Sequence, residues 1–135
     1  MDKLIQNAMI TPDGVILNSC NQHDYREHNG YFVDGGLEYT RYGCPADCKD
    51  KFEPLFLYEN DDFQIKKNKL VWGTFGKDGK QQLKWVKLID CEDDHLKAVL
   101  KIRIPDLYKD VINSILEDRI IIMRAKKLNK ILKNV

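Results

Sequence analysis

The chain has 135 residues and a mass of 15.8 kDa, which favours one domain with a single hydrophobic core. Hydrophobic residues make up 43% and charged residues 32%, which excludes the disordered class, and no apolar run approaches the ~20 residues of a membrane helix. The start of the chain lacks the basic and then apolar pattern of a signal peptide, so the four cysteines are expected in the reducing cytosol.

The near-neutral net charge of +1 conceals an uneven distribution of charge along the chain. The C-terminal 17 residues contain no acidic residue and six basic ones, Arg119, Arg124, Lys126, Lys127, Lys130 and Lys133. The first 118 residues therefore carry a net charge of −5. A basic tail of this kind is typical of a solvated helix face, of nucleic-acid binding, or of attraction to the acidic body of a neighbouring subunit.

The first predicted element is a β-hairpin near the start of the chain. Apolar residues at Leu4–Ile10 and Val15–Leu17 flank the sequence Thr11-Pro12-Asp13-Gly14. Proline followed by aspartate and glycine between two apolar runs indicates a tight turn.

A second group of short elements follows a polar stretch. Tyr31–Val33 is typical of a short strand, and Gly35-Gly36 would break or bend it. Residues 37–42 fit either a further strand or a helical turn, because the spacing of their apolar residues does not distinguish the two.

The middle of the chain predicts loops around one helix and one strand. Residues 43–50 contain glycine, proline and two cysteines and predict a loop, whereas residues 61–67 predict a short helix. Residues 72–80 contain three glycines and predict an ordered loop or a tight hairpin. Residues 83–88 alternate in polarity as a strand does.

The C-terminal third predicts two helices. Asp90 and Asp93 resemble a capping box that would begin a helix running to about Lys101. Pro105 suits the first turn of a second helix, and no glycine or proline interrupts residues 106–135. A helix of ~30 residues would be about 45 Å long, which exceeds the width of a domain of this size. Part of it must overhang, fray or pack on another chain.

The second helix also predicts a contact between subunits. Residues 120–123 are all apolar and would surround the helix at one level, which a monomer could hardly cover. The sequence therefore predicts one α+β domain over residues 1–118, a basic helical extension over residues 119–135, and at least a homodimer.

Two pairs of potential metal ligands occur, Cys20 with His23 and Cys44 with Cys48. They match tetrahedral zinc loosely, but free cysteines are common as small buried residues, so no metal site is predicted. Cys20 and His23 could also form a nucleophile and its base, yet no third group to orient the base is evident. No catalytic residue or cofactor is assigned, and the chain is expected not to be an enzyme.

A glycine-rich segment is a weak candidate for phosphate binding. Gly76 and Gly79 are flanked by Lys77 and Lys80, so the loop could offer backbone N–H groups and positive charge to a phosphate. The segment is not a P-loop, because the spacing differs and no lysine followed by serine or threonine is present. A solvated turn is the plain alternative.

Aromatic residues near the glycine-containing segments strengthen a nucleotide hypothesis. They are Tyr25, Tyr31, Tyr39, Tyr42, Trp72, Phe75 and Trp85. Together with Arg26 and Arg41 they offer the stacking surfaces and charged contacts that a purine and its phosphates need. The alternative is that most of these aromatic side chains belong to the core. Single-stranded nucleic acid is not the expected ligand, because the body of the chain is acidic.

Several motifs, taken in order, resemble a family of small phage proteins. They are Ile5-Gln6-Asn7-Ala8, Thr11-Pro12-Asp13-Gly14, His23-Asp24-Tyr25, Val33-Asp34-Gly35-Gly36-Leu37-Glu38-Tyr39 followed by Arg41, Trp72-Gly73-Thr74-Phe75-Gly76-Lys77-Asp78-Gly79, and Leu83-Lys84-Trp85-Val86. The series is similar to the anti-Thoeris sponges, which capture glycocyclic ADP-ribose signals made by bacterial TIR-domain defence proteins and do not cleave them. The resemblance covers roughly residues 4–118 and is most specific between residues 23 and 41.

The resemblance implies a set of ligand-binding residues. Phe75 or Trp72 would stack on the adenine, Arg41 and Lys80 would contact phosphate, and Asp78 would contact ribose or the base edge. Lys77 and Arg26 complete the expected set. His23, Asp24 and Asp34 are expected to brace turns rather than to contact ligand. This chain has Lys77-Asp78-Gly79-Lys80 where the family tends to have Lys-Asn-Gly-Asp, which changes the charge expected beside the ligand.

The sequence thus predicts an α+β fold, a small antiparallel sheet followed by C-terminal helices, in a homo-oligomer with pockets at subunit interfaces. The function it implies is capture of a cyclic ADP-ribose signal in the cytoplasm of the host bacterium, with no membrane partner. Two alternatives remain open. One is a phage nucleic-acid-binding accessory protein that uses the basic tail, and the other is a nucleotide phosphoesterase.

Overall fold

The computed structural model describes residues 2–46, 51–76 and 78–133. The chain divides into two compact units, Met1–Lys87 and Leu88–Val135. The first unit holds small antiparallel sheets and one short helix, and the second holds the C-terminal helices. The predicted α+β class is confirmed, whereas the predicted division after residue 118 falls inside a continuous helix and stays a prediction.

The first unit contains nine strands and one helix among its described residues. They are β1 Leu4–Ile10, β2 Ile16–Ser19, β3 Arg26–His28, β4 Tyr31–Asp34, β5 Arg41–Gly43, β6 Glu53–Pro54, β7 Leu57–Tyr58, α1 Phe63–Lys69, β8 Val71–Thr74 and β9 Lys84–Lys87. These strands form three antiparallel sheets rather than the single one expected: β2-β1-β6 with β7 also paired to β1, then β3-β4-β5, and then β8-β9.

The predicted first hairpin is confirmed. Strands β1 and β2 pair in antiparallel register from Asn7 opposite Ser19 to Ile10 opposite Ile16. The Thr11 N–H donates to the Val15 carbonyl at 2.9 Å and closes the turn, in which Gly14 has φ +90°. Strand β1 is central in its sheet and almost wholly buried, as its apolar run requires.

The second hairpin was only half predicted. Strand β4 matches the expected strand at residues 31–33, but β3 lies in the stretch that was assigned no structure. The two strands are joined by Asn29 and Gly30, with φ +52° and +86°. A two-residue turn with positive φ at both positions suits the right-handed twist of a hairpin, and Asn-Gly is its usual sequence. That dipeptide was the available signal for β3.

Gly35 and Gly36, directly after β4, form a sharp turn that is held by hydrogen bonds with the side chains of Asn7 and Ser19. Gly35 and Gly36 both have positive φ, +93° and +56°. The buried Asn7 side chain donates from Nδ2 to the Asp34 carbonyl at 2.9 Å and to the Gly36 carbonyl at 3.0 Å. The Gly36 N–H donates to Ser19 Oγ at 2.8 Å. These hydrogen bonds tie the second sheet to the first hairpin.

Several predicted boundaries are corrected. Residues 37–42, which fit either a strand or a helical turn, combine a turn after Gly35, closed by the Tyr39 N–H donating to the Gly35 carbonyl, with the start of β5 at Arg41. The helix expected at residues 61–67 runs instead from Phe63 to Lys69. Residues 72–80 begin as strand β8, and the turn that follows leads to β9, so the hairpin interpretation is confirmed. The loop expected at residues 43–50 is described only as far as residue 46.

Two clusters of buried side chains lie among the described residues of the first unit. One packs Met9 and Leu17 of the first hairpin against Tyr31 and Val33 of β4. The other packs Ala8, Leu55 and Val71, with the half-buried Trp85 and Ile10 against it. Strand β1 supplies a residue to each cluster, since adjacent residues in a strand point to opposite faces.

The second unit contains a 3-10 turn at Leu88–Asp90, helix α2 at Asp93–Leu100 and helix α3 at Asp106–Lys133. The predicted capping box is wrong, because Asp90 belongs to the 3-10 turn and the N-cap of α2 is Glu92. Helix α3 follows Pro105 directly, as expected. Helix α3 contacts α2 and the 3-10 turn, its residues Val111, Ile112 and Ile115 are buried, and the Arg119 guanidinium donates to Asp93 at 2.6 Å.

The second half of α3 leaves large apolar side chains uncovered within the chain. They are Ile120, Ile121, Ile122, Met123, Leu128, Ile131 and Leu132, exposed by 47–62%. With 28 residues α3 is about 42 Å long at 1.5 Å per residue. The long uninterrupted helix is confirmed, and its overhang, fraying or packing on another chain stays a prediction.

None of the helices in the described residues is both long and apolar enough to cross a membrane. Although α3 has the length, charged residues of both signs interrupt its apolar residues.

Candidate functional site

The structure places the predicted ligand-binding residues on two separate regions of the first unit. Arg26 and Arg41 belong to the β3-β4-β5 sheet. Trp72 lies on β8, and Phe75, Asp78 and Lys80 lie in the turn between β8 and β9. Lys77 falls outside the described residues.

The outer face of the β3-β4-β5 sheet carries a row of aromatic and cationic side chains, here called the Arg41 surface and defined by Tyr25, Phe32 and Arg41. The rings of Tyr25 and Phe32 stack with centroids 5.4 Å apart and planes inclined by 26°. The Arg41 guanidinium lies 5.8 Å from the centroid of the Phe32 ring. The contact follows from strand alternation, since Asp34 pairs with Arg41 and lies two residues from Phe32 on the same face.

Arg41 retains an accessible guanidinium on this surface. Its side chain is 67% exposed, and among the described residues its ion-pair partner is Asp34, whose Oδ2 is 4.0 Å from Nη1. Asp34 is largely committed to the turn, because its other oxygen accepts the Gly35 N–H at 2.8 Å. A guanidinium held over a ring and only loosely paired can still form bidentate hydrogen bonds with a phosphate or carboxylate.

Arg26 is held differently. Its Nε lies 2.6 Å from Asp24 Oδ1, and the other oxygen of Asp24 accepts the Cys20 N–H at 2.9 Å. The role expected for Asp24 and Asp34, bracing turns, is confirmed by these contacts. Arg26 therefore has one face engaged in the fold, whereas most of the Arg41 guanidinium is open to a ligand.

The β8-β9 turn is ordered by its own hydrogen bonds. The Gln81 N–H donates to the Phe75 carbonyl at 2.8 Å, and the Gly79 N–H donates to the Gly76 carbonyl at 3.2 Å. Asp78 accepts the Lys80 N–H at 3.1 Å, so its carboxylate also stabilises the turn. Phe75 is 53% exposed and can stack on a ligand, whereas Trp72 is half-buried opposite Val86.

A surface cleft of about 420 Å³ lies beside this hairpin, between the turn of the first hairpin and the start of β9. Residues 13–16 form one wall and residues 83–85 the other. The cleft is within the size range of sites that hold a small organic ligand. Lys84, at its edge, pairs with Thr74 at the end of β8, so the cleft adjoins the turn that contains Phe75.

Asp13 supplies the negative charge of this cleft and was not singled out from the sequence. Its carboxylate accepts hydrogen bonds from the Thr11 hydroxyl and, at 2.7 Å, lies against His28 Nε2. The hydrogen bond from Thr11 and then that from His28 lower the pKa of Asp13 below its usual value of 3.8. An aspartate in a Pro-Asp-Gly turn is ordinarily interpreted as a turn residue alone, so the sequence gives no separate reason to predict Asp13 as a binding residue.

The lowered pKa of Asp13 predicts a pH dependence of folding. A carboxylate whose pKa is lower in the folded state stabilises that state above its unfolded pKa and ceases to do so as pH falls through the folded pKa. We therefore expect wild type to be more stable than Asp13→Asn at about pH 5, with the difference shrinking below about pH 3.8. Urea unfolding of both proteins between about pH 5 and pH values below 3.8 measures this difference in the free energy of unfolding. A difference that stays constant would contradict the assignment, and Asp62→Asn, whose side chain makes no capping hydrogen bond, is the control.

The cysteine pairs are not brought together as a metal site in the part of the chain that the structure describes. Cys20 and Cys44 are exposed, no group of three potential ligands is found among the described residues, and Cys48 lies outside them. Desolvation, followed by the nearby Asp24 carboxylate, raises the pKa of the Cys20 thiol. The thiolate that a nucleophile requires is thus disfavoured at neutral pH.

Comparison of the chain with protein families, with curated proteins and with solved structures finds no match.

Proposed function

We propose that this protein binds and sequesters a small cyclic adenine nucleotide of the glycocyclic ADP-ribose class, without cleaving it, and so blocks a bacterial defence signal. The observation that carries the proposal is the Arg41 surface, on which a 67% exposed guanidinium lies over the Phe32 ring. The resemblance of the sequence motifs to the anti-Thoeris sponges supports the same ligand class.

The chemistry of the two regions fits the parts of such a ligand. A pyrophosphate is best held by a planar guanidinium, which Arg41 offers. An adenine stacks on an accessible aromatic face, and the first unit offers Tyr25 and Phe75, both more than half exposed, and the half-buried Trp85. Tight capture without turnover needs these binding groups and no catalytic ones.

The predicted residues lie on two regions of one chain, and the proposal therefore includes an oligomer with a pocket between subunits. The uncovered apolar side chains of α3 support assembly, because a surface of this kind is costly in water. Ile121, Leu128 and Leu132 recur at intervals of seven and four residues, which suits packing against another helix.

Disrupting this helix surface is expected to dissociate the oligomer. The triple variant Ile121→Ser, Leu128→Ser, Leu132→Ser should sediment as a monomer near 15.8 kDa, whereas wild type should sediment as a dimer or larger. The triple variant Lys126→Ser, Lys127→Ser, Lys130→Ser, which changes basic positions of the same helix, is the control and should stay assembled. A monomeric wild type at micromolar concentration would contradict the assembly.

The direct test of function is a capture experiment. The purified protein is mixed with glycocyclic ADP-ribose and filtered, and both the flow-through and the heat-denatured retentate are assayed for the signal. Depletion of the flow-through followed by recovery of intact ligand is the expected result. New product peaks would instead establish a phosphoesterase, and ligand left in the flow-through would overturn the proposal.

A nucleic-acid-binding protein is the second candidate, and one observation favours it. Residues 119–133 of α3 carry six basic side chains and no acidic one, which is the electrostatic pattern of a phosphate-backbone contact. Removing residues 119–135 should abolish nucleic-acid binding if this function is correct. The Arg41 variants discussed below should leave nucleic-acid binding unchanged, so they distinguish nucleic-acid binding from nucleotide capture.

A further inference from the structure

The cleft between residues 13–16 of the first hairpin and residues 83–85 is lined by both apolar and charged residues. Its walls include the exposed apolar side chains of Val15 and Leu83 and the half-buried indole of Trp85. Two opposite charges, Asp13 and Lys84, lie at the same opening. Apolar walls with a few placed polar groups are the usual chemistry of a site for a planar organic molecule.

The negative group of the cleft is oriented before any ligand arrives. Thr11 donates to one oxygen of Asp13, and His28 lies at 2.7 Å from the other. Asn29 Nδ2 approaches that second oxygen at 3.5 Å. The Asp13 side chain is still 49% exposed, and a carboxylate has about four acceptor positions, so it can accept a further hydrogen bond from a ligand.

The indole of Trp85 is equally well fixed. It packs on the buried cluster of Ala8, Leu55 and Val71, and it lies opposite Gly73 in the β8-β9 pair. A side chain held by the core on one side and lining a cleft on the other gives a rigid aromatic wall. Rigid walls retain affinity, because little side-chain entropy is lost when the ligand binds.

We infer that this cleft is the site for the base of the captured nucleotide, an amino-substituted purine. The ring would lie against Trp85 between Val15 and Leu83, and its exocyclic amine would donate to Asp13. Lys84 would face the ribose and phosphate side. This assignment rests on the proposed function, since the base belongs to the ligand proposed there, and it moves the base away from Phe75 and Trp72.

Free adenosine, at up to millimolar concentration, is the probe for this site. The chain has two tryptophans, so its ¹H–¹⁵N spectrum contains two indole N–H resonances and Trp85 can be followed directly. A saturable shift of the Trp85 resonance is expected. Filling the cleft by Val15→Phe should weaken adenosine binding at least tenfold, and Asp13→Asn should weaken it about tenfold. Ile102→Phe and Asp62→Asn make the same changes at exposed positions elsewhere and should leave binding unchanged.

Two results would overturn the assignment of the cleft. One is a Trp85 resonance that does not respond to adenosine, and the other is equal binding by Val15→Phe and its control. The capture experiment with the whole cyclic ligand separates this failure from that of the proposed function. Full retention by Val15→Phe together with loss by Arg41→Ala would overturn only the cleft, whereas no retention by wild type would overturn the function and the cleft together.

Discussion

Replacing Gly36 by alanine is expected to destabilise the first unit by about 3–5 kcal/mol. Gly36 has φ +56°, a conformation that costs an L-residue about 1–2 kcal/mol. A Cβ at this position would also lie 2.5 Å from the backbone carbonyl carbon and oxygen of Asn21. Backbone atoms cannot rotate away as a side chain can, so the turn and its hydrogen bonds to Asn7 and Ser19 must shift.

Gly14→Ala is the matched control for this prediction. Gly14 also has positive φ, +90°, but a Cβ there would meet no atom within 4 Å. Its cost is therefore expected to be the backbone strain alone, about 1–2 kcal/mol. Urea unfolding followed by the fluorescence of Trp72 and Trp85, both in the first unit, measures both variants. Equal losses would mean that the close approach to Asn21 does not contribute.

Replacing Arg41 by alanine is expected to weaken capture of glycocyclic ADP-ribose by about 1.5–3 kcal/mol, which is roughly 10- to 150-fold in Kd. The Arg41 side chain is 67% exposed, lies 4.0 Å from Asp34 and 5.8 Å from the centroid of the Phe32 ring, and has no close ion pair among the described residues, so its removal should leave the fold almost intact. The loss would then appear in affinity and not in the free energy of unfolding. Isothermal titration calorimetry and urea unfolding of the same preparation separate the two effects.

Two further variants sharpen this test. Arg41→Lys keeps the charge but loses the planar fork and the contact with the Phe32 ring, so an intermediate loss is expected. Arg103→Ala removes an exposed arginine of the second unit and should change nothing. If Arg41→Ala and Arg103→Ala bound the nucleotide equally well, Arg41 would have no place in the site.

Local sequence signals were sufficient for much of the fold. The Pro-Asp-Gly turn predicted the first hairpin, because proline and glycine restrict or free φ in a way that does not depend on distant residues. The run of apolar and charged residues after Pro105, without glycine or proline, likewise predicted the long helix α3. Strand β3 was not predicted, although the local sequence contains the signal for it, because Asn29-Gly30 is the usual sequence of a two-residue hairpin turn.

The candidate site was less accessible from the sequence. Of the residues expected to act together, Arg41 lies on the β3-β4-β5 sheet and Phe75 in the turn between β8 and β9, and nothing in their spacing along the chain encodes that separation. The stacking of Tyr25 on Phe32 depends on strand pairing between residues seven apart. Asp13 and Trp85 line one cleft although 72 positions separate them in the chain.

Composition, turn residues and periodicity therefore determined the fold class, the first hairpin and the C-terminal helices of this protein, because each depends on interactions among neighbours in the chain. Only the tertiary structure showed three other features. They are the division of the strands into three sheets, the hydrogen bonds of Asn7 to the glycine turn, and the cleft. These features join residues far apart in the chain, and their free energies arise from burial and long-range hydrogen bonds that no local pattern records.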